Sequence, residues 1–232
     1  MNLLATLTIM QLTQAQEPIS DGFKARFTKE VSAQYLVSLP DGYDKKREKW
    51  PLLLFLHGSG ERGTDVKMVG VHGPIKEIAN GRKIPMIVVA PQCPADEWWD
   101  TDVLTGLLDH LERKYRVDKT RVYVTGLSMG GYGTWNLALA QPNRFAAIAP
   151  VCGGGQPGKA VSIAHIPQWV VHGDADQAVP IKESIDMVEA LRKAGADPRF
   201  DIIKGGGHDV WTDFYAKDEF YTWLLSHQLV KS

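Results

Sequence analysis

The sequence predicts an α/β fold in which a mainly parallel sheet is covered by helices on both faces. Several short apolar runs lack polar alternation, as strands that are buried on both faces do. Amphipathic helical patterns separate these runs along the chain. The 232 residues are 44% hydrophobic and 23% charged, which suits a domain with a full core.

The strands and helices are predicted in an alternating order. Residues 23–28 and 34–39 are typical of a hairpin that ends at the turn Pro40-Asp41-Gly42. The apolar strands follow at residues 51–56, 86–90, 121–125, 145–151, 168–172 and 199–203. The helical patterns lie at residues 102–115, 129–140, 181–194 and 213–227. Alternation of this kind favours parallel pairing of the strands.

The N-terminal segment differs from the rest of the chain. Residues 3–10 are apolar enough for the core of a signal peptide that would be cleaved after Ala15, but no positive charge precedes them. We therefore interpret residues 1–20 as a leader or possible signal segment, and we favour a cytoplasmic location over export. Residues 21–232 are predicted to form a single α/β domain.

Charge and cysteine content argue against several classes of protein. The net charge is −1 and no long basic run is present, so we expect no nucleic-acid partner. No apolar stretch approaches the length of a transmembrane helix, so we expect no membrane insertion. Two cysteines are too few for a zinc site built on cysteine pairs, and we expect no metal or cofactor. Cys93 and Cys152 could form a disulfide, although a cytosolic location favours two buried free thiols.

Glycine and histidine collect where the predicted strands end. Reactive groups gather at the carboxyl ends of the strands in parallel sheets, because these ends meet at one edge. Five of the six apolar strands end in segments rich in glycine or histidine. The six end segments are residues 57–60, 91–94, 126–130, 152–155, 172–176 and 205–208.

The most informative of these segments is Gly126-Leu127-Ser128-Met129-Gly130, which lies between a predicted strand and a predicted helix. A serine nucleophile needs such a sharp turn to lift its hydroxyl clear, and the flanking glycines remove side chains that would obstruct it. The N-terminus of the next helix would also favour an oxyanion. The alternative is an ordinary glycine-rich turn. The interpretation of Ser128 as a nucleophile therefore depends on whether a base and an acid follow it along the chain.

A base and an acid follow Ser128 in the order that this architecture requires. His208 follows three glycines at the end of the last strand, and we predict that it takes the serine proton. Asp174 and Asp176 both follow the strand at residues 168–172 and compete for the role of the acid. Asp176 is favoured, because Asp174 directly follows a glycine and suits a turn residue that bonds its own backbone.

Oxyanion donors are predicted on two loops. The N–H of Met129, directly after the nucleophile, is one donor. The second is the N–H of Ser59, with Gly58 as the next choice. The loop at residues 57–60 lacks the lysine and hydroxyl residue of a phosphate-binding loop. His57 and His172 are interpreted as structural residues that brace their strand ends.

Three tryptophans are candidates for substrate contact. Trp98 and Trp99 follow the strand at residues 86–90, and Trp211 lies three residues after His208. They could form an aromatic wall for an acyl or aryl group, or they could pack in the core and on helices. The connection at residues 151–167 is rich in Gly, Pro and Ala and has no room for a sizeable cap, so we expect an open site.

These segments together resemble the α/β-hydrolase superfamily. The resemblance rests on residues 126–131, 57–63, 172–180 and 207–211, and it extends over about residues 23–228. More narrowly, the chain resembles small bacterial serine esterases labelled phospholipase/carboxylesterase or "predicted peptidase", which are relatives of feruloyl esterases and polyhydroxybutyrate depolymerases. The resemblance implies a catalytic triad of Ser128, Asp176 and His208, in agreement with their order along the chain.

We therefore expect a serine carboxylesterase that hydrolyses small-molecule esters, with short-chain or aryl acyl groups, through an acyl-enzyme. The alternative is a feruloyl or acetyl-xylan esterase, or a serine peptidase, on the same fold. The peptidase ranks lower because no inserted segment would form a long cleft. A dienelactone-type hydrolase would carry cysteine at position 128, and a non-catalytic binding protein would not need all three triad residues.

Overall fold

A seven-stranded sheet forms the centre of the molecule in the computed structural model, which describes residues 28–45 and 47–229. The strands are β1 (Tyr35–Ser38), β2 (Trp50–Leu56), β3 (Ile87–Pro91), β4 (Val117–Leu127), β5 (Ala147–Val151), β6 (Trp169–Gly173) and β7 (Arg199–Ile203). Their order across the sheet is β1-β3-β2-β4-β5-β6-β7. β1 pairs antiparallel with β3, and the other neighbours pair in parallel.

Helices cover both faces of this sheet. The described residues form α1 (Gly73–Ala79), α2 (Thr101–Lys114), α3 (Met129–Ala140), α4 (Lys182–Lys193), α5 (Trp211–Tyr215) and α6 (Asp218–Leu225). One buried cluster joins α2, α3 and α4 to one face, and a second joins α1, α5 and α6 to the other. The predicted fold class is confirmed, because a mainly parallel sheet lies between two helical layers.

Strand β2 shows why its sequence is apolar without alternation. Leu52, Leu54 and Leu56 belong to the cluster on one face, whereas Leu53 and Phe55 belong to the cluster on the other. All five side chains are fully buried. Because both faces of the strand are covered, each of its side chains has to be apolar.

The predicted helix at residues 213–227 is wrong as a single element. The chain forms α5 and α6 instead, and Lys217 between them has an extended backbone (φ −79°, ψ 130°). Asp218 and Glu219 begin α6. Acidic side chains are stabilised at the N-terminus of a helix, because this end carries the positive part of the helix dipole. Helix α1 was not predicted; it is short and carries Pro74 in its first turn, where a missing N–H costs little.

The N-terminal predictions lie almost entirely outside the described residues. This holds for the leader at residues 1–20 and for the first hairpin strand at residues 23–28. The second hairpin strand is β1, and its described partner is β3. The described residues from Val31 onward form one compact unit. None of the described helices is long and apolar enough to cross a bilayer.

Candidate active site

Ser128 occupies the turn between β4 and α3 at the carboxyl edge of the sheet. Its backbone has φ 52° and ψ −118°, an uncommon conformation for a residue with a side chain, and such strain is typical of a nucleophile turn. A Cβ on Gly126 would collide with the backbone of Gly130, and a Cβ on Gly130 would collide with the Leu56 carbonyl. Both flanks of the turn therefore require glycine.

The structure brings the three predicted triad residues together. His208 Nε2 lies 2.9 Å from Ser128 Oγ, and His208 Nδ1 lies 2.6 Å from Asp176 Oδ2. Asp176 follows β6 and His208 follows β7, so the carboxyl ends of β4, β6 and β7 supply the three side chains. The result is one hydrogen-bonded row from a hydroxyl through an imidazole to a carboxylate.

The Asp176 carboxylate is fully buried and well supplied with hydrogen bonds. Its Oδ1 accepts the N–H groups of Ala178 at 2.8 Å and Val179 at 2.9 Å. Burial alone would raise the pKa of Asp176. The hydrogen bonds from His208 and the two amides outweigh burial and hold this pKa below its usual value. Asp176 is therefore ionised at neutral pH and can hold the His208 N–H on Nδ1.

Asp174 serves a neighbouring loop. Its Oδ1 accepts the N–H of Gly205 at 2.6 Å, on the glycine segment that leads to His208. The Ala175 N–H donates to the Gly206 carbonyl at 2.9 Å. A Cβ on Gly173 would collide with that carbonyl, so glycine lets the two loops approach. Asp174 thus fastens the histidine loop, whereas Asp176 contacts the histidine itself.

The loop after β2 lies against the nucleophile. A Cβ on Gly58 would be 3.6 Å from Ser128 Cβ. The Gly58 N–H donates to Glu61 Oε2 at 2.9 Å, so this amide is engaged. Ser59 begins a short 3-10 helix (Ser59–Glu61), and Met129 is the first residue of α3. Ser59 and Met129 therefore remain the candidate oxyanion donors at the two sides of Ser128.

Sequence reasoning missed the buried carboxylate of Glu61. Its spacing of three residues from Gly58 is that of a capping box, and this signal could have found it. Its other oxygen, Oε1, lies 3.8 Å from His72 Nε2. Glu61 therefore sets the conformation of the predicted oxyanion loop.

His57 braces this loop, as predicted from its place at the strand end. Its Nδ1 donates to the Gly58 carbonyl at 2.6 Å, and its Nε2 accepts the Cys93 N–H at 3.0 Å. Burial lowers the pKa of His57 to about 4, so the ring is neutral and has one donor and one acceptor. Trp99 packs edge-on against the ring at 4.7 Å and donates Nε1 to the His57 carbonyl at 3.2 Å.

The three candidate tryptophans differ in exposure. Trp98 is 63% exposed and lies edge-on to Tyr132 at 5.8 Å, one helical turn after Ser128. Trp211 is only 8% exposed and packs edge-on against His208 at 4.9 Å. Trp99 is half-buried. Of the three, Trp98 offers the most surface to a ligand, whereas Trp99 and Trp211 mainly support histidines.

Cys152, His172 and Asp176 place possible metal ligands within 4.8 Å of one another. In this structure, however, the contacts of these side chains are hydrogen bonds. His172 Nε2 lies 2.9 Å from the Val179 carbonyl, which can only accept a hydrogen. Burial raises the pKa of Cys152 to about 12, so its thiol stays protonated. Both Cys93 and Cys152 are buried free thiols.

The fold and the serine turn define an α/β-hydrolase. Among solved structures, a thermostable esterase superposes with a TM-score of 0.72 and 32% identity, over 84% of this chain and 59% of that protein. The chain belongs to the esterase family described as "Putative esterase", which matches residues 29–200. It is therefore a carboxylic ester hydrolase.

Two relatives carry more specific names. The chain is 27% identical over 192 residues to "Probable feruloyl esterase C" of Aspergillus terreus, covering 78% of this chain and 70% of that protein. It is 27% identical over 197 residues to an endo-1,4-beta-xylanase/feruloyl esterase of Xylanibacter ruminicola. That match covers 76% of this chain but 27% of the bacterial protein, so the chain corresponds to about a quarter of it.

Proposed function

We propose that this chain is a serine carboxylesterase that hydrolyses short-chain or aryl carboxylic esters through an acyl-enzyme at Ser128. The observation that carries the proposal is the unbroken hydrogen-bonded row from Ser128 through His208 to Asp176. In this row the serine is the nucleophile, the histidine is the base and the aspartate orients the histidine.

The reaction proceeds by two successive acyl transfers. Ser128 Oγ bonds to the ester carbonyl carbon while His208 Nε2 takes the serine proton. The N–H groups of Ser59 and Met129 hold the oxyanion that forms. The bond from carbon to the alcohol oxygen then breaks, and the alcohol takes the proton from His208. Water attacks the acyl-enzyme with the same proton transfers and releases the acid.

The surroundings of Ser128 support small and aromatic esters. The connection between β5 and β6 contains only a short 3-10 helix (Pro157–Ile163), so no helical cap covers the site in the described residues. The exposed indole of Trp98 beside Tyr132 offers an apolar surface to an aryl or acyl group. This aromatic pair and the names of the two relatives favour a feruloyl esterase as the second candidate.

Hydrolysis of p-nitrophenyl acetate, butyrate and octanoate by wild type and Ser128→Ala tests the proposal. We expect kcat to fall at least about 10³-fold in the variant, because a triad acts as a unit. Ser226→Ala is the matched control, since its hydroxyl is exposed and bonds only the local Trp223 carbonyl. Equal rates for wild type and Ser128→Ala would refute the serine mechanism.

Methyl esters separate the two candidate substrates. A kcat/KM on methyl ferulate well above that on methyl butyrate would select the feruloyl esterase. The reverse ratio would select the short-chain carboxylesterase. Because the leaving group is methanol in both esters, the ratio reports the acyl group alone.

A further inference from the structure

A second histidine lies against the carboxylate that pairs with His208. His172, near the end of β6, is fully buried, and its Nε2 lies 3.3 Å from Asp176 Oδ2. The same oxygen receives the His208 N–H at 2.6 Å. One carboxylate oxygen therefore contacts two imidazoles, and only one of these rings reaches Ser128.

The hydrogen on His172 can be assigned from its neighbours. Burial lowers the pKa of His172, so the ring is neutral and carries one N–H. The Val179 carbonyl, 2.9 Å from Nε2, can only accept, which places the hydrogen on Nε2. Nδ1 then accepts the hydroxyl of Ser184 at 2.7 Å. The Nε2–H thus points to the Val179 carbonyl, with Asp176 Oδ2 as its more distant neighbour.

These contacts close the turn that carries the acid. Val179 donates its N–H to Asp176 Oδ1 at 2.9 Å, and its carbonyl receives the His172 N–H. His172 is itself fastened to α4 through Ser184. Cys152, which also lies close to His172 and Asp176, is a protonated thiol and brings no second negative charge beside Asp176. The orientation of the Asp176 carboxylate therefore depends on a hydrogen bond that His172 donates.

We propose that His172 is a positioning residue for Asp176 in ester hydrolysis, because its Nε2–H holds the Val179 turn so that Oδ2 stays in contact with His208. The inference rests on the proposed serine mechanism. The hydrogen bonds of His172 go to Val179 and Ser184 and not to Ser128, so His172 acts through the acid. A loss of its donor lets the carboxylate shift, and displacement of a catalytic group by about 1 Å can cost about 10²-fold in rate.

Two substitutions of similar polarity separate donor geometry from mere space filling. The amide nitrogen of His172→Gln can reach the place of Nε2 and donate to the Val179 carbonyl. The shorter side chain of His172→Asn places its amide near Nδ1 and cannot. With p-nitrophenyl acetate and active sites counted with a fluorophosphonate, we expect Asn to lower kcat about 10–100-fold with little change in KM. Gln should retain most of kcat.

A double-mutant cycle tests whether His172 acts through the acid. In an Asp176→Asn background, His172→Asn should lower kcat less than about threefold, since coupled residues are not additive. Ser184→Ala, which removes the bond to Nδ1 and the 3.1 Å contact of the hydroxyl with the Gly153 carbonyl, should lower kcat about 3–10-fold and show the same non-additivity. This second variant keeps the test available if His172→Asn does not fold.

Three results would overturn the proposal. The first is an unchanged kcat per active site in both His172→Asn and Ser184→Ala. The second is a loss of kcat from His172→Asn that is as large in the Asp176→Asn background as in wild type. The third is a kcat of His172→Gln that is no higher than that of His172→Asn. If Ser128→Ala and Asp176→Asn also retain full activity, the serine mechanism itself fails. If those two variants lose activity as expected and His172→Asn does not, only the role of His172 fails.

Discussion

The two ends of the Ser128–His208–Asp176 row lie in contrasting surroundings. At the acid end, the side chains of Asp176 and His172 are fully buried, and both carboxylate oxygens accept hydrogen bonds. At the serine end, Ser59 is exposed and Trp98 shows 63% of its surface. The buried end fixes the orientation of a charge, whereas the open end leaves room for esters of different shapes. We therefore expect substitutions at the acid end to change kcat and substitutions at the open end to change substrate preference.

The largest difference is expected between the two neighbouring aspartates. Asp176→Asn should lower kcat about 10³–10⁴-fold, because an amide no longer holds the imidazole in the required tautomer. Asp174→Asn should lower kcat only a few-fold, since its amide oxygen can still accept the Gly205 N–H. Steady-state kinetics with p-nitrophenyl butyrate measures both. Equal losses in the two variants would show that Asp176 has no special role.

Glu61 is a buried residue that supports the loop at the serine end, and a smaller effect is expected there. Glu61→Ala removes the acceptor of the Gly58 N–H and frees the loop that carries Ser59. We expect a fall in kcat of about 10–100-fold, within the range for a misplaced oxyanion donor. Glu61→Gln keeps an acceptor oxygen and should lose less. If Glu61→Ala raises KM and leaves kcat unchanged, the loop does not hold the oxyanion.

The sequence predicted the fold and the triad Ser128, His208 and Asp176 better than it predicted the residues that hold the triad in place. Strand β2 and the serine turn were predictable because burial on two faces and close backbone approach restrict residue type locally. The contact of His172 with Asp176 involves side chains whose orientation depends on the whole sheet edge. Their spacing is visible in the sequence, but the direction of an N–H is not. The break before α6 was missed because apolar spacing continues across Lys217.

The tryptophans show the same limit. Trp98 and Trp99 are adjacent in sequence, yet one is exposed and the other packs against His57. Nothing in the local pattern distinguishes them, because the difference depends on the oxyanion loop and on α3, where a Cβ on Gly133 would meet Trp99. Exposure of an aromatic side chain is decided by tertiary packing.

At the open end, Trp98→Ala should change selectivity more than turnover. Loss of the exposed indole should raise KM about 3–10-fold for esters with an aromatic acyl group, because apolar contact is lost. The KM for esters with an acetyl group should stay nearly unchanged. Val161→Ala is a control, because Val161 is 72% exposed and lies on the 3-10 helix Pro157–Ile163. Parallel changes for aryl and acetyl substrates would contradict a role for Trp98 in recognition.

The smallest expected effect is on stability. The folded-state pKa of Asp176 lies below its ordinary value of 3.8, so ionised Asp176 stabilises the fold above that pH. This contribution is lost as the pH falls through the lower folded-state pKa. Between pH 6 and pH 3, wild type should lose more unfolding free energy than Asp176→Asn, because only the carboxylate of wild type takes up a proton in this range. Urea titrations at each pH measure this difference, and parallel curves would contradict it.

The short connection between β5 and β6 has a consequence for protein engineering. Gln156 to Lys159, at the start of the 3-10 helix Pro157–Ile163, is exposed, and exposed segments tolerate insertions best. A designed helical hairpin grafted there would not disturb the strand pairing of the sheet. The scaffold is therefore a starting point for building lids that select a chosen substrate.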